Sequence, residues 1–259
     1  MQSKENTVHS VTSNQADIYK NLEAVVHKYA TTTFLRPVAD HTREAFENAC
    51  EFVRTFYGAR AAGGAELVLD SGCGTGESTI HLARKFPNVP VIGIDKSAVR
   101  LTKAGNSRQL EVSTEGECGS LISGTQVPPN AFWVRAELLD FWRLAHEKVV
   151  SGEWKVQHHA LYYPNPWPKE SEATRRFHLH PIFPTLLRLS PVTELRTNWE
   201  IYAQEFKEAA RIVGDVLSLD LAVECGAFCP DIPETAFERK YKNADQELFR
   251  TLVRTNSKS

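Results

Sequence analysis

Mainly apolar stretches of two kinds alternate along this chain. Short runs with the length of buried strands occur at 67–70, 88–94, 131–135, 157–163, 192–196 and 216–223. Apolar residues at helical spacing occupy 16–29, 40–58, 77–86, 97–108, 138–149, 173–189 and 199–212. After the first two helices, strands alternate with helices, which predicts an α/β fold with a Rossmann-like, doubly wound and mostly parallel sheet.

The first quarter of the chain precedes this alternation. Residues 1–15 are polar and predict a flexible tail. The two helices that follow are expected to pack on the sheet as an N-terminal helical extension over 16–60. The main domain is expected over 61–259, and its stretch 109–130, rich in Gly, Ser, Thr and Pro, predicts an inserted surface loop.

The composition is that of an ordinary globular protein, with 42% hydrophobic and 24% charged residues in a chain of 259. No stretch approaches the roughly 20 apolar residues of a membrane span, and the N-terminus lacks the apolar core of a signal peptide, so no membrane partner is expected. The net charge of −2 gives no overall positive field, so contacts with nucleic acid require a local basic cluster. A second protein subunit or a homodimer is left open.

The cysteines and histidines predict no metal site. Five cysteines, an odd number without the spacing of a disulfide framework, indicate reduced thiols and a cytoplasmic location, with the nucleus as the alternative. Cys225 and Cys229 have no second pair nearby. His158 and His159 adjoin within a strand and are expected to alternate between core and surface, while Cys73 is expected to pack as a small residue.

A glycine-rich turn, Ser71-Gly72-Cys73-Gly74-Thr75-Gly76, follows the strand that ends at Asp70. Glycine permits such a tight turn at the end of a buried strand. The next apolar run ends in Asp95, where an acid is placed to receive ribose hydroxyls. Because ligands of such sheets bind outside the carboxyl ends of the strands, these features predict a nucleoside-cofactor site.

The spacing and charge of the turn narrow the choice of cofactor. Dinucleotide sites favour G-x-G-x-x-G, whereas the spacing here is G-x-G-x-G. Asp70 and Glu77 flank the turn and would repel a diphosphate, and Glu77 also replaces the lysine of a P-loop. The turn suits a cationic ligand without phosphate and resembles motif I of the class I S-adenosylmethionine methyltransferases. The resemblance implies S-adenosylmethionine as the cofactor and Asp95 as its ribose-binding acid.

A proline-rich loop, Pro164-Asn165-Pro166-Trp167-Pro168-Lys169, directly follows the fourth predicted strand. Prolines fix φ and keep the loop stiff. Rigid loops at strand ends are where transferases hold their acceptors. The alternative interpretation is a strand terminator with a packed tryptophan.

Four motifs follow the glycine turn in order. They are the proline-rich loop, Arg175-Arg176-Phe177, Glu194-Leu195-Arg196-Thr197-Asn198-Trp199-Glu200 with Tyr202, and Thr235-Ala236-Phe237-Glu238. They resemble the P-D-P-W-P-K, R-R, T-D-W-x-x-Y and T-x-F/Y-E motifs of the TrmB family of tRNA (guanine-N7)-methyltransferases, over about residues 66–252 without the inserted loop. The resemblance implies that 61–259 is a methyltransferase domain that methylates N7 of guanine in tRNA, with tRNA as the partner.

The resemblance also implies the site residues. Cofactor contacts are implied for Asp70, Gly72, Gly74, Gly76, Asp95 and Glu137. The acceptor base is expected to be held by Asn165 and Trp167, with Trp167 either stacking on it or packing beneath the loop. Substrate contacts are implied for Lys169, Arg175, Arg176, Asn198, Thr235 and Glu238. A basic cluster for tRNA phosphates is expected from Lys169, Arg175, Arg176, His178 and His180, and a second from Arg239, Lys240 and Lys242.

Asn165 and Asn198 depart from the family, which has an acid at both positions. A carboxylate accepts both donors of the guanine Watson–Crick edge, whereas an amide accepts one and also donates. Two alternatives therefore stay open. The loop also resembles the N-P-P-[YF] loop of amino-methyltransferases, which act on an exocyclic amine, and the chain could be a catalytically weak paralogue that binds S-adenosylmethionine or RNA.

Overall fold

The computed structural model describes residues 11–58, 63–103, 127–244 and 246–256. Its strands are β1 (Ala65–Ser71), β2 (Val91–Asp95), β3 (Ala131–Arg135), β4 (Trp154–Tyr162), β5 (Val192–Thr197), β6 (Leu221–Phe228) and β7 (Leu248–Thr255). Its helices are α1 (Leu22–Ala30), α2 (Asp40–Tyr57), α3 (Glu77–Lys85), α4 (Ala98–Lys103), α5 (Leu138–Val150), α6 (Phe183–Leu187), α7 (Glu200–Leu217) and α8 (Ala236–Asn243). Two 3₁₀ turns, Glu170–Arg175 and Phe177–Leu179, lie between β4 and α6.

The described strands form one sheet in the order β3-β2-β1-β4-β5-β7-β6. Strands β1 to β5 pair in parallel, and β7 runs antiparallel to β5 and β6. The predicted Rossmann-like, doubly wound and mostly parallel sheet is confirmed. The strand order reverses between β1 and β4, and in such sheets the carboxyl ends at this point open a binding crevice.

Both faces of the sheet are buried. In β1, Leu67 and Leu69 belong to the larger apolar cluster on one face, whereas Val68 belongs to a smaller cluster on the other. Helix α7 contributes Phe206 to the larger cluster, and α3 contributes Leu82 to the smaller one. Each fully buried side chain of this size stabilises the fold by about 1.5–3 kcal/mol.

Helix α2 packs on β1 and β3 of the sheet, whereas α1 packs on helix α7. Leu22 of α1 and Phe46 of α2 are buried in the larger cluster. The segment between the two helices is tied to α5 by the buried carboxylate of Asp140, which pairs with Arg36 at 3.1 Å and accepts a hydrogen bond from the backbone N–H of Ala39 at 3.1 Å. The extension is therefore anchored by a buried charge as well as by apolar packing.

Parts of the predicted domain plan fall outside the described residues, namely 1–10 of the tail and 104–126, which include most of the predicted inserted loop. Residues 11–15 do not behave as a free tail, because Ser13 and Gln15 hydrogen-bond to the rest of the protein. The limits of the extension and the main domain stay a prediction.

The predicted strand at 216–223 is wrong in its first half. Helix α7 continues to Leu217, and β6 begins at Leu221. Gly214 lies inside this helix, where the chain that follows the helix turns back closely against it. A Cβ added at Gly214 would lie 3.3 Å from the carbonyl oxygen of Leu219. This glycine serves close packing and does not end the helix.

The expected alternation of His158 and His159 between core and surface is also wrong. His158 is 7% exposed and His159 is fully buried. Strand β4 lies between β1 and β5, and both faces of the sheet are covered, so each side of β4 is interior. The buried His159 Nε2 lies 2.9 Å from the hydroxyl of Ser71.

Two searches of the described residues bear on membranes and metals. None of the described helices combines the length and the apolar character needed to cross a bilayer. Within the same residues, no cluster of three or more His, Cys, Asp or Glu side chains has the arrangement of a metal site.

Candidate active site

Two adjoining cavities lie at the carboxyl ends of β1, β2 and β4. The first has a volume of about 500 Å³ and the second about 390 Å³. They share Gly72, Arg100, Tyr163, Pro164 and Asn165 in their linings. The two cavities therefore form one continuous cleft, placed where the order of the strands reverses.

The glycine turn forms one wall of this cleft. Gly72, Gly74 and Gly76 have left-handed φ values of 76°, 58° and 77°. Gly72 and Gly74 line the first cavity, whereas Gly76 immediately precedes α3. A Cβ added at Gly74 would meet no atom within 4 Å, so the backbone here borders open space that a ligand can fill.

Asp70 is not a direct ligand contact, which corrects the role implied by the resemblance. The residue is 1% exposed, and its Oδ2 accepts hydrogen bonds from Ser78 Oγ at 2.7 Å and Thr79 Oγ1 at 2.6 Å. Burial raises the pKa of Asp70 to about 6 although both hydroxyl groups favour its charged form. Asp70 therefore ties the end of β1 to the start of α3 and fixes the glycine turn from behind.

Asp95 lines the second cavity at the end of β2. Its Oδ2 accepts a hydrogen bond from Gly74 N at 3.0 Å, and its Oδ1 accepts one from Ser97 N at 2.7 Å. Arg100 Nη2 lies 3.1 Å from the same Oδ1. Glu137, which precedes α5, lines this cavity as well, so two carboxylates border the second cavity next to the turn.

The proline-rich loop forms the opposite wall. Asn165 lines both cavities and Trp167 lines the second. The residues just before and within the loop, Tyr163 and Trp167, have left-handed φ values of 52° and 46°. Such values are unfavourable for residues other than glycine and persist where the surroundings hold the backbone in place.

The predicted basic cluster is only partly at the surface. Lys169 and Arg175 are exposed, and Arg175 places its guanidinium 4.6 Å from the centre of the Trp167 ring. Lys169 lies outside the lining of both cavities. Arg175 lines the second cavity and is therefore the better placed of the two for a substrate contact.

Arg176 and His178 cannot hold tRNA phosphates, which corrects the prediction, because their side chains are fully buried. Arg176 Nη1 binds both carboxylate oxygens of Glu205, at 2.7 and 2.6 Å, and His178 Nε2 lies 2.8 Å from Glu205 Oε2. Burial opposes the ionisation of Glu205, but His178 and Arg176 lower its pKa to about 2. A buried cation requires such a partner.

The N-terminal segment packs beside this buried pair. Ser13 Oγ donates to the carbonyl oxygen of Pro168 at 2.6 Å, and Glu170 N donates to Asn14 Oδ1 at 3.2 Å. Gln15 Nε2 donates to Glu205 Oε1 at 2.6 Å. The N-terminal segment therefore contacts the proline-rich loop itself, at Pro168, and also Glu205, the partner of Arg176.

The last sequence motif, Thr235-Ala236-Phe237-Glu238, borders the first cavity, which the glycine turn also lines. Thr235 lines the cavity and caps α8, with its hydroxyl accepting from Glu238 N at 3.0 Å. Glu238 is fully buried and is not a substrate contact, which corrects the prediction. Its Oε1 accepts from Arg196 Nη1 at 2.9 Å and its Oε2 from Glu234 N at 2.6 Å, so Glu238 neutralises a buried cation and fixes the start of α8.

One residue of the second predicted basic cluster, Arg239, is also held in an ion pair within the protein. Arg239 forms an ion pair with Glu77, and its Nη2 lies 2.8 Å from Glu77 Oε2. This pair joins the first turn of α3 to the first turn of α8 across the first cavity. The ion pair also neutralises the carboxylate of Glu77, which lines the first cavity.

Asn198 lines the first cavity near the end of β5. Its Nδ2 donates to the hydroxyl of Tyr241 at 3.0 Å. Sequence reasoning did not single out Tyr241, Tyr163 or Glu205. One signal was available for Tyr241, since it follows Phe237 of the last motif by four residues, the spacing of one helix face. The partner of Arg176 had no local signal, because Glu205 is distant in sequence.

The fold and this cleft are those of a nucleoside-cofactor-dependent transferase, and the comparisons with known proteins agree. A family model described as a methyltransferase domain matches residues 68–134. The chain is 58% identical over 38 residues to the trans-aconitate 2-methyltransferase of Deinococcus radiodurans, which is 15% of this chain and 15% of that relative. It is 26% identical over 180 residues to the tRNA (guanine-N(7)-)-methyltransferase of Stutzerimonas stutzeri, covering 68% of this chain and 67% of the relative.

A solved structure described as an antibiotic related methyltransferase also aligns with the chain. It has a TM-score of 0.48 and 14% identity, over 88% of this chain and 98% of that one. The alignment with the first relative spans less than two thirds of that protein's length. The sheet has the fold of the class I S-adenosylmethionine-dependent methyltransferases, and residues 68–134 match a methyltransferase domain.

S-adenosylmethionine is the cofactor of this class, and the residues of the cleft fit it. The side-chain-free turn at Gly72 and Gly74 leaves room along the backbone. Asp95 and Glu137 supply carboxylates to the second cavity, where ribose hydroxyls need acceptors.

Proposed function

We propose that this protein transfers a methyl group from S-adenosylmethionine to N7 of a guanine in tRNA. The observation that carries the proposal is that the glycine turn, the proline-rich loop and the start of α8 line a single cavity. A cofactor on the turn and an acceptor on the loop would therefore meet directly. Positioning of this kind lowers a barrier by about 7–11 kcal/mol.

The charges of the cavity suit an acceptor that needs no deprotonation. Among the described residues that line the first cavity, Glu77 is the only carboxylate, and it is paired with Arg239. When bound, S-adenosylmethionine supplies an electrophilic methyl group on a positively charged sulfur. N7 of guanine carries an unshared electron pair in its neutral form, so the cavity needs to orient the base and exclude water but does not need a general base.

The two asparagines that replace family acids remain suited to guanine. Asn165 Oδ1 accepts a hydrogen bond from Trp167 N at 3.3 Å, so its Nδ2 group is available as a donor. Asn198 uses Nδ2 on Tyr241, so its Oδ1 is available as an acceptor. The pair offers one donor and one acceptor, as guanine requires at O6 and N1–H.

Methylation of an exocyclic amine fits this arrangement less well. That reaction requires the asparagine of the loop to accept a hydrogen bond from the amine, for which Asn165 Oδ1 has only its second lone pair, because it already accepts a hydrogen bond from Trp167 N. It also releases a proton, for which the described lining of the first cavity holds no unpaired carboxylate. The relative from Stutzerimonas stutzeri, which spans most of the chain, favours the guanine acceptor.

Positive charge at the mouth of the cleft supports tRNA as the partner. Lys96, Arg100 and Arg175 line the second cavity and are exposed. Lys169 is exposed on the adjoining loop. These cations provide the local cluster that phosphate contacts require in a chain whose net charge is −2.

The experiment is nucleoside mass spectrometry of bulk tRNA incubated with the pure protein and isotopically labelled S-adenosylmethionine. The tRNA comes from a strain that lacks N7-methylguanosine. Labelled N7-methylguanosine is the expected product, and Asp95→Ala protein is the control without a functional cofactor site. Label in N6-methyladenosine would replace the proposal with the amine alternative, and S-adenosylmethionine binding without transfer to RNA would favour a non-catalytic paralogue.

A further inference from the structure

Three aromatic side chains, Tyr163, Phe237 and Tyr241, lie together on the lining of the first cavity. Ring centroids are 5.8 Å apart for Tyr163 and Phe237, 6.1 Å for Phe237 and Tyr241, and 6.3 Å for Tyr163 and Tyr241. The planes of these pairs differ by 21°, 22° and 36°. In a column of stacked rings the outer pair would be about twice as far apart as neighbours. Three nearly equal distances between nearly parallel rings instead describe three mutually offset rings, which form one compact aromatic cluster on the cavity lining.

We call these three residues the aromatic wall, and two of its rings are fixed in place. Tyr163 N donates to the carbonyl oxygen of Arg196 at 2.7 Å, and the Tyr163 hydroxyl donates to Glu238 Oε1 at 3.1 Å. The Tyr241 hydroxyl accepts from Asn198 at 3.0 Å. The wall is therefore preorganised by hydrogen bonds at its edges.

The third ring is different, because Phe237 has no polar atom to anchor it and is 53% exposed. Because Phe237 lines the first cavity, a ligand bound there would remove its apolar surface from water. Phe237 lies directly after the first residue of α8, next to Thr235 and above the glycine turn. It is the part of the wall that a ligand entering the cleft would meet first.

We propose that the aromatic wall is the stacking face for the acceptor base, with Phe237 as the ring that the base covers. The inference rests on the proposed function and specifies how the acceptor is recognised: as a purine base that has left the stack of its RNA. Bases removed from a stack are held in proteins by aromatic faces and by hydrogen bonds to their edges. Both elements are present here.

The hydrogen-bonding groups beside the wall distinguish the two purines. Asn165 Oδ1 already accepts from Trp167 N, so Asn165 offers its Nδ2 as a donor. Asn198 Nδ2 already donates to Tyr241, so Asn198 offers its Oδ1 as an acceptor. Guanine presents the matching pair, an acceptor at O6 and a donor at N1–H. Adenine presents the reverse, a donor at N6 and an acceptor at N1, so the same site would disfavour it.

Trp167 is less suited to this stacking role than the aromatic wall. One face of its ring is covered by the guanidinium of Arg175, 4.6 Å from the ring centre. Trp167 lines the second cavity, whereas the glycine turn and the start of α8 meet in the first. Trp167 was expected either to stack on the base or to pack beneath the loop. The contact with Arg175 supports the packing role.

The test compares Phe237→Ala and Phe237→Trp with the wild-type protein, using bulk tRNA that lacks N7-methylguanosine. Phe237→Ala should raise the KM for tRNA about tenfold or more, in line with the loss of one base–aromatic contact. Its affinity for S-adenosylhomocysteine, measured by calorimetry, should stay within about twofold of wild type. Phe237→Trp should restore the KM, because it keeps a flat aromatic surface.

Ile232→Ala provides the matched control. Ile232 is 70% exposed, precedes α8 and lies outside the lining of both cavities, so its loss should change neither KM nor cofactor affinity. Addition of the tRNA should also quench the fluorescence of the indole that the Phe237→Trp substitution introduces, measured as the difference from wild type. An unchanged KM in Phe237→Ala, or an equal loss of cofactor affinity, would overturn the stacking role.

The failure of this inference can be told apart from failure of the proposed function. The product formed by the wild-type protein identifies the acceptor base. The ratio of the KM for tRNA between Phe237→Ala and wild type tests the aromatic wall. If the wild type labels another base, the same ratio is measured on that product. If it labels no RNA and tRNA causes no quenching in Phe237→Trp, the aromatic wall is not a base-binding face.

Discussion

The buried guanidinium of Arg176 donates two hydrogen bonds to the backbone carbonyl of Trp167, from Nε at 3.3 Å and from Nη2 at 2.9 Å. The remaining Nη1 is held by both oxygens of Glu205. Trp167 has a left-handed φ of 46°, a conformation that its own chemistry does not favour. The shape of the proline-rich loop is therefore imposed by a buried ion pair from outside the loop.

Arg176→Lys should loosen the loop while keeping the buried positive charge. Lysine cannot reproduce the planar set of donors that reaches Glu205 and the Trp167 carbonyl together. We expect kcat to fall about tenfold or more and the free energy of unfolding to decrease by about 1–3 kcal/mol. Steady-state kinetics and urea denaturation measure the two effects, and affinity for S-adenosylhomocysteine should be unchanged.

Arg211→Lys is the control for this substitution, because Arg211 is exposed and pairs with Glu208 on the surface of α7. Surface pairs of this kind contribute about 0–1 kcal/mol. An Arg176→Lys protein that matches the control in both kcat and stability would show that the loop holds its shape unaided.

Asp95→Ala should weaken S-adenosylmethionine binding strongly. The substitution removes the acceptor expected for ribose hydroxyls and also the bond that ties Gly74 N to the end of β2. Hydrogen bonds to a charged group contribute about 1.5–3 kcal/mol each, so a loss of about tenfold or more in affinity is expected. Calorimetry measures it, with exposed Asp215→Ala as the control, and unchanged affinity would remove Asp95 from the cofactor site.

Asn165→Asp should keep or raise methylation of guanine N7. The carboxylate gives up the donor to O6 but accepts hydrogen bonds from both donors of the guanine edge, N1–H and the 2-amino group, so we expect the base to shift along its edge to that pairing. The side chain is exposed at the cleft, so the added charge remains partly solvated. Initial rates with tRNA and labelled cofactor give the result, and complete loss of activity would indicate a different acceptor.

Stability should decrease as the pH falls below about 6.5, because several histidines are buried in their neutral form. Burial lowers the pKa of His159 from 6.5 to about 3 and that of His180 from 6.5 to about 4. Between pH 6.5 and these values the unfolded chain binds protons that the folded chain does not, so lower pH favours unfolding. Each such histidine contributes a slope of up to about 1.4 kcal/mol per pH unit.

Urea denaturation from pH 8 to pH 4 measures this dependence. His159→Asn should flatten the curve relative to wild type, whereas the exposed Arg211→Lys substitution, which keeps the charge, should leave its shape unchanged. A wild-type stability that stays constant across this range would contradict the assignment of neutral buried histidines.

The sequence predicted those parts of the fold that local pattern controls. Strand β3 has the predicted bounds, Ala131–Arg135, because a short apolar run is flanked by polar residues on both sides. The end of α7 was misplaced at residue 212, whereas the helix continues through Gly214, which provides close packing in the fold. The last strand, β7, and the helix α8 before it were not predicted.

The site shows the same division between local and distant causes. The glycine turn and the proline-rich loop were recognised from residues that adjoin in sequence. Arg176, Glu238 and Asp70 were assigned to ligands because they match motifs of the family that the chain resembles. Their burial depends on partners from other elements, such as Glu205 for Arg176 and Arg196 for Glu238, and no local pattern reveals such pairs.

The hairpin formed by β6 and β7 has a practical consequence. Helix α8 and Phe237 belong to the connection between these two antiparallel strands, which occupy the end of the sheet farthest from β2 and β3. The part of the proposed acceptor site that α8 supplies thus lies in a connection whose two ends are neighbours, since Phe228 pairs with Leu248. Exchanging residues 229–247 for the same connection of another methyltransferase offers a way to retarget the enzyme without redesigning the half that holds the methyl donor.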